Sequence, residues 1–110
     1  MGQINDLINK SYDHAVSKGF HDEPRSVGDL IALMHSELSE AFEHFRNGHN
    51  LAEVFYTENG KPDGVSTELA DVVIRIFDFC GRYGIDLEYV IENKMAYNAT
   101  RPHKHGGKVL

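Results

Sequence analysis

Apolar side chains recur at helical spacing in four separate stretches of this chain. Ile4, Leu7, Ile8, Tyr12 and Ala15 fall three or four residues apart, and Lys18-Gly19 adds a cationic last turn and a glycine stop, predicting a first helix over roughly 3 to 18. After Pro24, Ser26-x-x-Asp29 is a weaker relative of the capping box. It opens a second stripe of Val27, Leu30, Ile31, Met34, Leu38, Ala41, Phe42 and Phe45 that ends near Asn47-Gly48. A third helix, about 65 to 82, is apolar around most of its circumference, with Glu68, Asp71, Arg75 and Asp78 as one narrow polar stripe. The fourth takes Asp86 as its N-cap and presents Leu87, Val90, Ile91 and Met95 on one side. It stops by about Thr100, because Pro102 disfavours helical geometry at Arg101.

Residues 48 to 63 contain Asn59-Gly60 and Pro62-Asp63-Gly64, turn chemistry that rules out one uninterrupted helix through the region and predicts a loop. Strand alternation is weak throughout. The pattern therefore predicts an all-α bundle of four helices. A helix as apolar as the third must be covered on more than one side. In a single domain of 110 residues, spanning 1–110, that requires the other helices and a second subunit, in a homodimer or homotetramer.

The net charge of −6 argues against a long nucleic acid as partner, since such a partner needs an extended basic surface. The charge is uneven, however. Residues 94 to 110 carry Lys94, Arg101, Lys104 and Lys108 and no acid, whereas residues 1 to 93 carry seven basic and all seventeen acidic residues. The last residues read as a flexible basic tail. Cys80, the single cysteine, lies among Phe77, Phe79 and Tyr83 and is expected to pack as a small core residue. Met1 to Tyr12 holds no apolar run like a signal peptide and no segment has the apolar length of a membrane span, so a cytoplasmic protein with no membrane partner is expected.

The candidate chemistry lies in two acidic pairs, Glu37-x-x-Glu40 and Glu68-x-x-Asp71, each inside an apolar segment. Residues three apart on a helix share a face, so two such helices side by side would gather four carboxylates. Two anions about 4 Å apart repel by roughly 1 to 4 kcal/mol, so a cation must sit among them. A cluster of oxygen ligands without matching Cys or His spacing suits Mg²⁺, or Mn²⁺, working with substrate phosphates. A solvated acidic face is the plain alternative for Glu37 and Glu40 alone. Glu68 and Asp71 weigh against it, because they interrupt a helix where carboxylates are costly to bury unless paired or metal-bound. Glu43 and Asp78 are candidates for a fifth ligand, and read more simply as surface or ion-pair residues.

On the fourth helix, Lys94 and Asn98 continue the spacing of the apolar side, and Arg101 follows three residues later. Lys and Arg suit phosphate, one as a point charge and the other as a fork, and Asn can donate to a phosphate or ribose oxygen. Complementing the helix dipole is the simpler role for the two cations. His14, His21, His35, His49 and His103 read as surface or hydrogen-bonded residues. No His follows a Glu by three positions as a di-iron bundle demands, and neither a P-loop nor a nucleophile context is present.

Taken in order, Ser36-Glu37-Leu38-Ser39-Glu40-Ala41, Glu68-Leu69-Ala70-Asp71-Val72-Val73, Asn93-Lys94-x-x-Tyr97-Asn98-x-x-Arg101-Pro102 and His105-Gly106-Gly107-Lys108 resemble the MazG-like nucleoside triphosphate pyrophosphohydrolases of the all-α superfamily. The likeness covers nearly the whole chain. It implies a four-helix MazG fold completed by oligomerisation, and Mg²⁺-dependent hydrolysis of a nucleoside triphosphate, noncanonical or deoxy, to monophosphate and pyrophosphate. By the same likeness Glu37, Glu40, Glu68 and Asp71 hold the metal, Glu40 and Glu37 serve catalysis, and Lys94, Asn98 and Arg101 contact the substrate. Many relatives have a second Glu where this chain has Ser36. The related phosphoribosyl-ATP pyrophosphohydrolases share the chemistry. The rival from another class is a non-enzymatic helical interaction module that holds a structural ion.

Overall fold

The computed structural model describes residues 2–102, so the expected basic tail and its His105-Gly106-Gly107-Lys108 motif lie outside the described residues. Among the described residues there are four helices, α1 (Gln3–Ser17), α2 (Val27–Arg46), α3 (Val65–Tyr83) and α4 (Leu87–Ala99), all close to the expected bounds. Local chemistry explains the ends. Ser26 Oγ accepts from the Asp29 amide, and Asp29 Oδ2 in turn accepts from the Ser26 amide, a complete capping box. Asp86 caps α4 by accepting from the Tyr89 amide.

The segment expected to be a plain loop contains a small antiparallel hairpin of β1 (Phe55–Tyr56) and β2 (Pro62–Asp63). Its tip is closed by the Thr57 amide on the Lys61 carbonyl and the Gly60 amide on the Thr57 carbonyl. The second strand runs into Gly64, which has a φ of 127° and packs so tightly that a Cβ there would lie 2.6 Å from the Glu53 carbonyl oxygen. Glycine is thus required where hairpin becomes helix.

Helix α3 is central, flanked by α1 on one side and α2 on the other. Close approach to α1 depends on Gly81, since a Cβ there would collide with Tyr12 Cβ. The core gathers Ile8, Leu30, Ala41, Val65, Val72 and the expected Cys80. The polar stripe of α3 also points inward: Glu68 and Asp78 are buried, and Asp71 and Arg75 half-buried. Apolar residues Leu69, Val73 and Ile74 are left exposed instead, together with Leu38, Phe42 and Phe45 along α2.

The packing of α4 departs from the expected four-helix bundle. Its docking among the described residues is chiefly against α1, and no α4 residue is buried. Leu87 and Ile91 are half-buried near its start, whereas residues 92 to 102 are exposed. Periodicity marks an apolar side on this helix, but nothing among the described residues covers it. The radius of gyration of 16.7 Å accordingly exceeds the about 13 Å of a compact domain of this length.

What ties α4 down is a cap supplied across the chain. The N-cap of α1 is Gly2, which offers no side chain, and Glu88 Oε1 accepts from the Ile4 and Asn5 amides at 3.0 and 3.2 Å instead. Asn5 Nδ2 donates to Asp86 Oδ1 beside it. Anionic oxygens at a helix start satisfy free amides and complement the dipole. Glu88→Ala is expected to cost about 1 to 2 kcal/mol in chemical denaturation and to speed amide exchange across 87–99. Unchanged stability and exchange would show that the cap does not anchor α4.

Candidate metal centre

Helix α2 presents Glu37 and Glu40 toward the start of α3, which presents Glu68. One oxygen from each of these three carboxylates lies within 4.8 Å of the other two. Glu68 is only 4% exposed, and its Oε2 has no hydrogen-bond partner. Asp71, one turn further along α3, falls outside this tight group but close enough to feel the charges of Glu37 and Glu40. The sequence expectation of convergent acids therefore holds for three residues, with the fourth adjacent.

The electrostatics follow from burial. Removal from water, reinforced by Glu37, Glu40 and Asp63, pushes the Glu68 carboxyl up to about 9. Asp71 is also raised, by burial and then by Glu37, against the opposing pull of Arg75 and Lys61. For Glu37, burial acts upward, but hydrogen bonding within the cluster and to Arg75 outweighs it and holds the carboxyl below its usual range. Arg75 Nε donates to Glu37 Oε1 at 3.0 Å. Without a cation, the acids therefore keep a proton on Glu68.

Several side chains at the site carry no role in the sequence motifs. His44 Nε2 lies 2.8 Å from Asp63 Oδ1 and 3.7 Å from Glu68 Oε1. Asp63 sits at the end of β2, where its Oδ1 also accepts from the Gly64 amide. Burial acts upward on Asp63, and the bonds from Gly64, Glu68 and His44 hold it below its ordinary value. The signal for His44 was its position four residues after Glu40, on the same side of α2. Asp63 gave no signal, because only the unforeseen hairpin brings it to the acids.

A cleft of 330 Å³ runs between α1 and α2, with α3 as its floor. It adjoins the acids through Glu37 and Asp71, and Lys18, Phe20 and Arg75 also line it. At the far end of the α3 stripe, His21 Nε2 meets Asp78 Oδ1 at 2.7 Å with both side chains nearly buried. Asp78 and His21 are thus hydrogen-bond partners.

The structure does not bring Lys94, Asn98 and Arg101 to the acids. Lys94 and Asn98 lie on the exposed part of α4 and Arg101 just beyond its end, where Lys94 Nζ and Arg101 Cζ approach the Tyr97 ring at 5.2 and 6.0 Å. The expected inward polar face of α4 faces outward in the single chain. The cations that do act on the acids are Arg75 and Lys61.

Compared with protein-family models, with curated proteins and with solved structures, the chain matches none.

The Glu68 shift has a definite sign in stability. From its ordinary 4.5 up to about 9, the folded chain keeps a proton that the unfolded chain has lost. Rising pH therefore favours unfolding across that window and stops doing so above it. Asp63 and Glu37, held low, act oppositely and only in acid, where their stabilisation is lost as they protonate. The metal-free protein is expected to melt at falling temperature between about pH 5 and 9, and Glu68→Gln to flatten that decline. Equal slopes for variant and wild type would show that Glu68 is not the titrating group.

Proposed function

We propose that the chain hydrolyses nucleoside triphosphates, noncanonical or deoxy, to monophosphate and pyrophosphate with Mg²⁺ or Mn²⁺, as its resemblance to the MazG-like enzymes implies. The observation that carries this reading is the buried Glu68 carboxyl, with its partnerless Oε2, facing Glu37 and Glu40. A set of oxygen donors alone suits a hard divalent cation.

Glu37, Glu40 and Glu68 would hold the ion, with Asp71 next along α3. When bound, it supplies charge neutralisation at phosphate oxygens and an acidified water. Glu40 is the exposed member of the trio and is our candidate to take the proton of the attacking water. Arg75 lines the adjoining cleft and can offer its fork of N–H donors to a phosphate there. Phe20 in the same cleft is approached by the guanidinium groups of Arg25 and Arg75, at 4.3 and 5.6 Å, which aligns Arg75 toward the cavity.

Lys94, Asn98 and Arg101 serve the phosphates in this reading once α4 lies over a set of acids. A homodimer or homotetramer would provide that cover while burying the apolar faces of α2 and α3, and we make assembly part of the proposal. The separation of the α4 cations from the acids favours one second reading, a helical interaction module whose carboxylates hold a structural ion.

Turnover separates the two. With Mg²⁺ and a panel of canonical and modified nucleoside triphosphates, the protein is expected to release pyrophosphate and not orthophosphate, and excess EDTA to abolish release. Glu40→Gln and Glu68→Gln should each slow it by about 100-fold or more. Turnover that survives EDTA, or wild-type rates in both variants, would overturn the metal role. Sedimentation at micromolar concentration should give a dimer or larger, and Lys94→Ala and Arg101→Ala should impair triphosphate use with the fold intact. A monomer whose alanine variants keep full activity would remove the phosphate role of α4.

A further inference from the structure

Beside the three carboxylates lies a second group of ligand atoms with different chemistry. His44, Asp63 and Glu68 each place one donor atom within 4.8 Å of the other two. They line a separate cavity of 230 Å³ together with Glu40, Glu43 and Lys61. We propose that this group is a second cation site, one that takes a borderline divalent transition ion such as Zn²⁺ or Co²⁺ and shares Glu68 with the first.

Two observations carry this inference. The first is the shared carboxylate: Glu68 is nearly fully buried, lines this cavity, and places Oε1 3.7 Å from His44 Nε2 while its Oε2 has no partner. A buried carboxylate with an oxygen left over can serve a second ion. The second is the imidazole and the way it is held. The His44 ring is packed edge-on against Phe55 at 5.5 Å and His49 at 5.8 Å. His49 itself stacks on Phe55 at 4.4 Å and places Nδ1 3.1 Å from Glu53 Oε1. The hairpin and the segment before it thus fix the direction of His44 Nε2.

Spacing and chemistry agree. Donors about 2.0 to 2.2 Å from a shared ion stand roughly 3 to 3.6 Å apart, and Nε2 lies 2.8 Å from Asp63 and 3.7 Å from Glu68, with all three donors within 4.8 Å of one another. One nitrogen and two oxygens suit Zn²⁺, Co²⁺ or Fe²⁺ better than Mg²⁺, and three protein ligands leave a position open to water. The proposal holds whether or not the chain acts on nucleotides.

The test uses the full chain and the metals alone. Zn²⁺ is titrated into protein held in excess Mg²⁺, with the histidine ring nitrogens followed by ¹⁵N NMR. The expected result is one Zn²⁺ per chain and a ligation shift at His44 Nε2, with affinity lowered at least about tenfold in His44→Ala and in Asp63→Asn. Mg²⁺ binding by His44→Ala, read by calorimetry, should stay at the wild-type level. Absence of Zn²⁺ binding, binding that survives both substitutions, or a shift confined to other histidines would overturn the site. The ring shift of the wild-type protein decides the question even if a variant fails to fold.

Discussion

The fold of this molecule is organised around the polar stripe on one buried helix. Glu68, Asp71, Arg75 and Asp78 face inward from α3, and the neighbouring segments supply partners for Glu68, Arg75 and Asp78. The connection between α1 and α2 contributes His21 to Asp78, α2 contributes Glu37 to Arg75 and His44 to Glu68, and the hairpin brings Asp63 to His44. Buried ionic pairs add little net stability against apolar replacements, but breaking one leaves a charge stranded. The stripe therefore sets the register of the three helices more than it adds to their cohesion. Glu68 keeps one buried oxygen without a protein donor, and there the stripe is not satisfied by the described residues alone.

The helices themselves could be read from the chain because their signals are local. Ser26 with Asp29, Asp86, and the apolar periods of α1 and α2 act within a few residues and are reproduced in the structure. The hairpin could not be read the same way. Its strands are two residues long, too short for alternation to register, and Pro62 argues against a strand by the usual rule. Its pairing at the very edge of the fold makes proline tolerable there.

The acids show the same division. Glu37, Glu40 and Glu68 were identifiable because three-residue spacing on helices converts directly into a shared face. His44 had the spacing but no motif to single it out. Asp63 and Lys61 needed the hairpin, and the inward turn of the α3 stripe ran against the preference for apolar arcs inside. For α4 the limit was different in kind. Periodicity reveals that Leu87, Val90, Ile91 and Met95 form a side to be covered, and carries no information about which molecule covers it. The exposed faces of α2 and α3 pose that question again within the structure.

The hairpin divides into a fixed base and a free tip. Asp63 and Gly64 are held by the His44 contact, by the Gly64 amide on Asp63 Oδ1 and by a φ reserved for glycine. Residues 57 to 61 close on one another through Thr57, and Glu58, Asn59 and Gly60 face solvent. Such an arrangement is modular. The tip can lengthen, shorten or change composition while the base that carries Asp63 stays in register, so a lineage could remodel the rim beside the acids by exchanging three residues without rebuilding its floor.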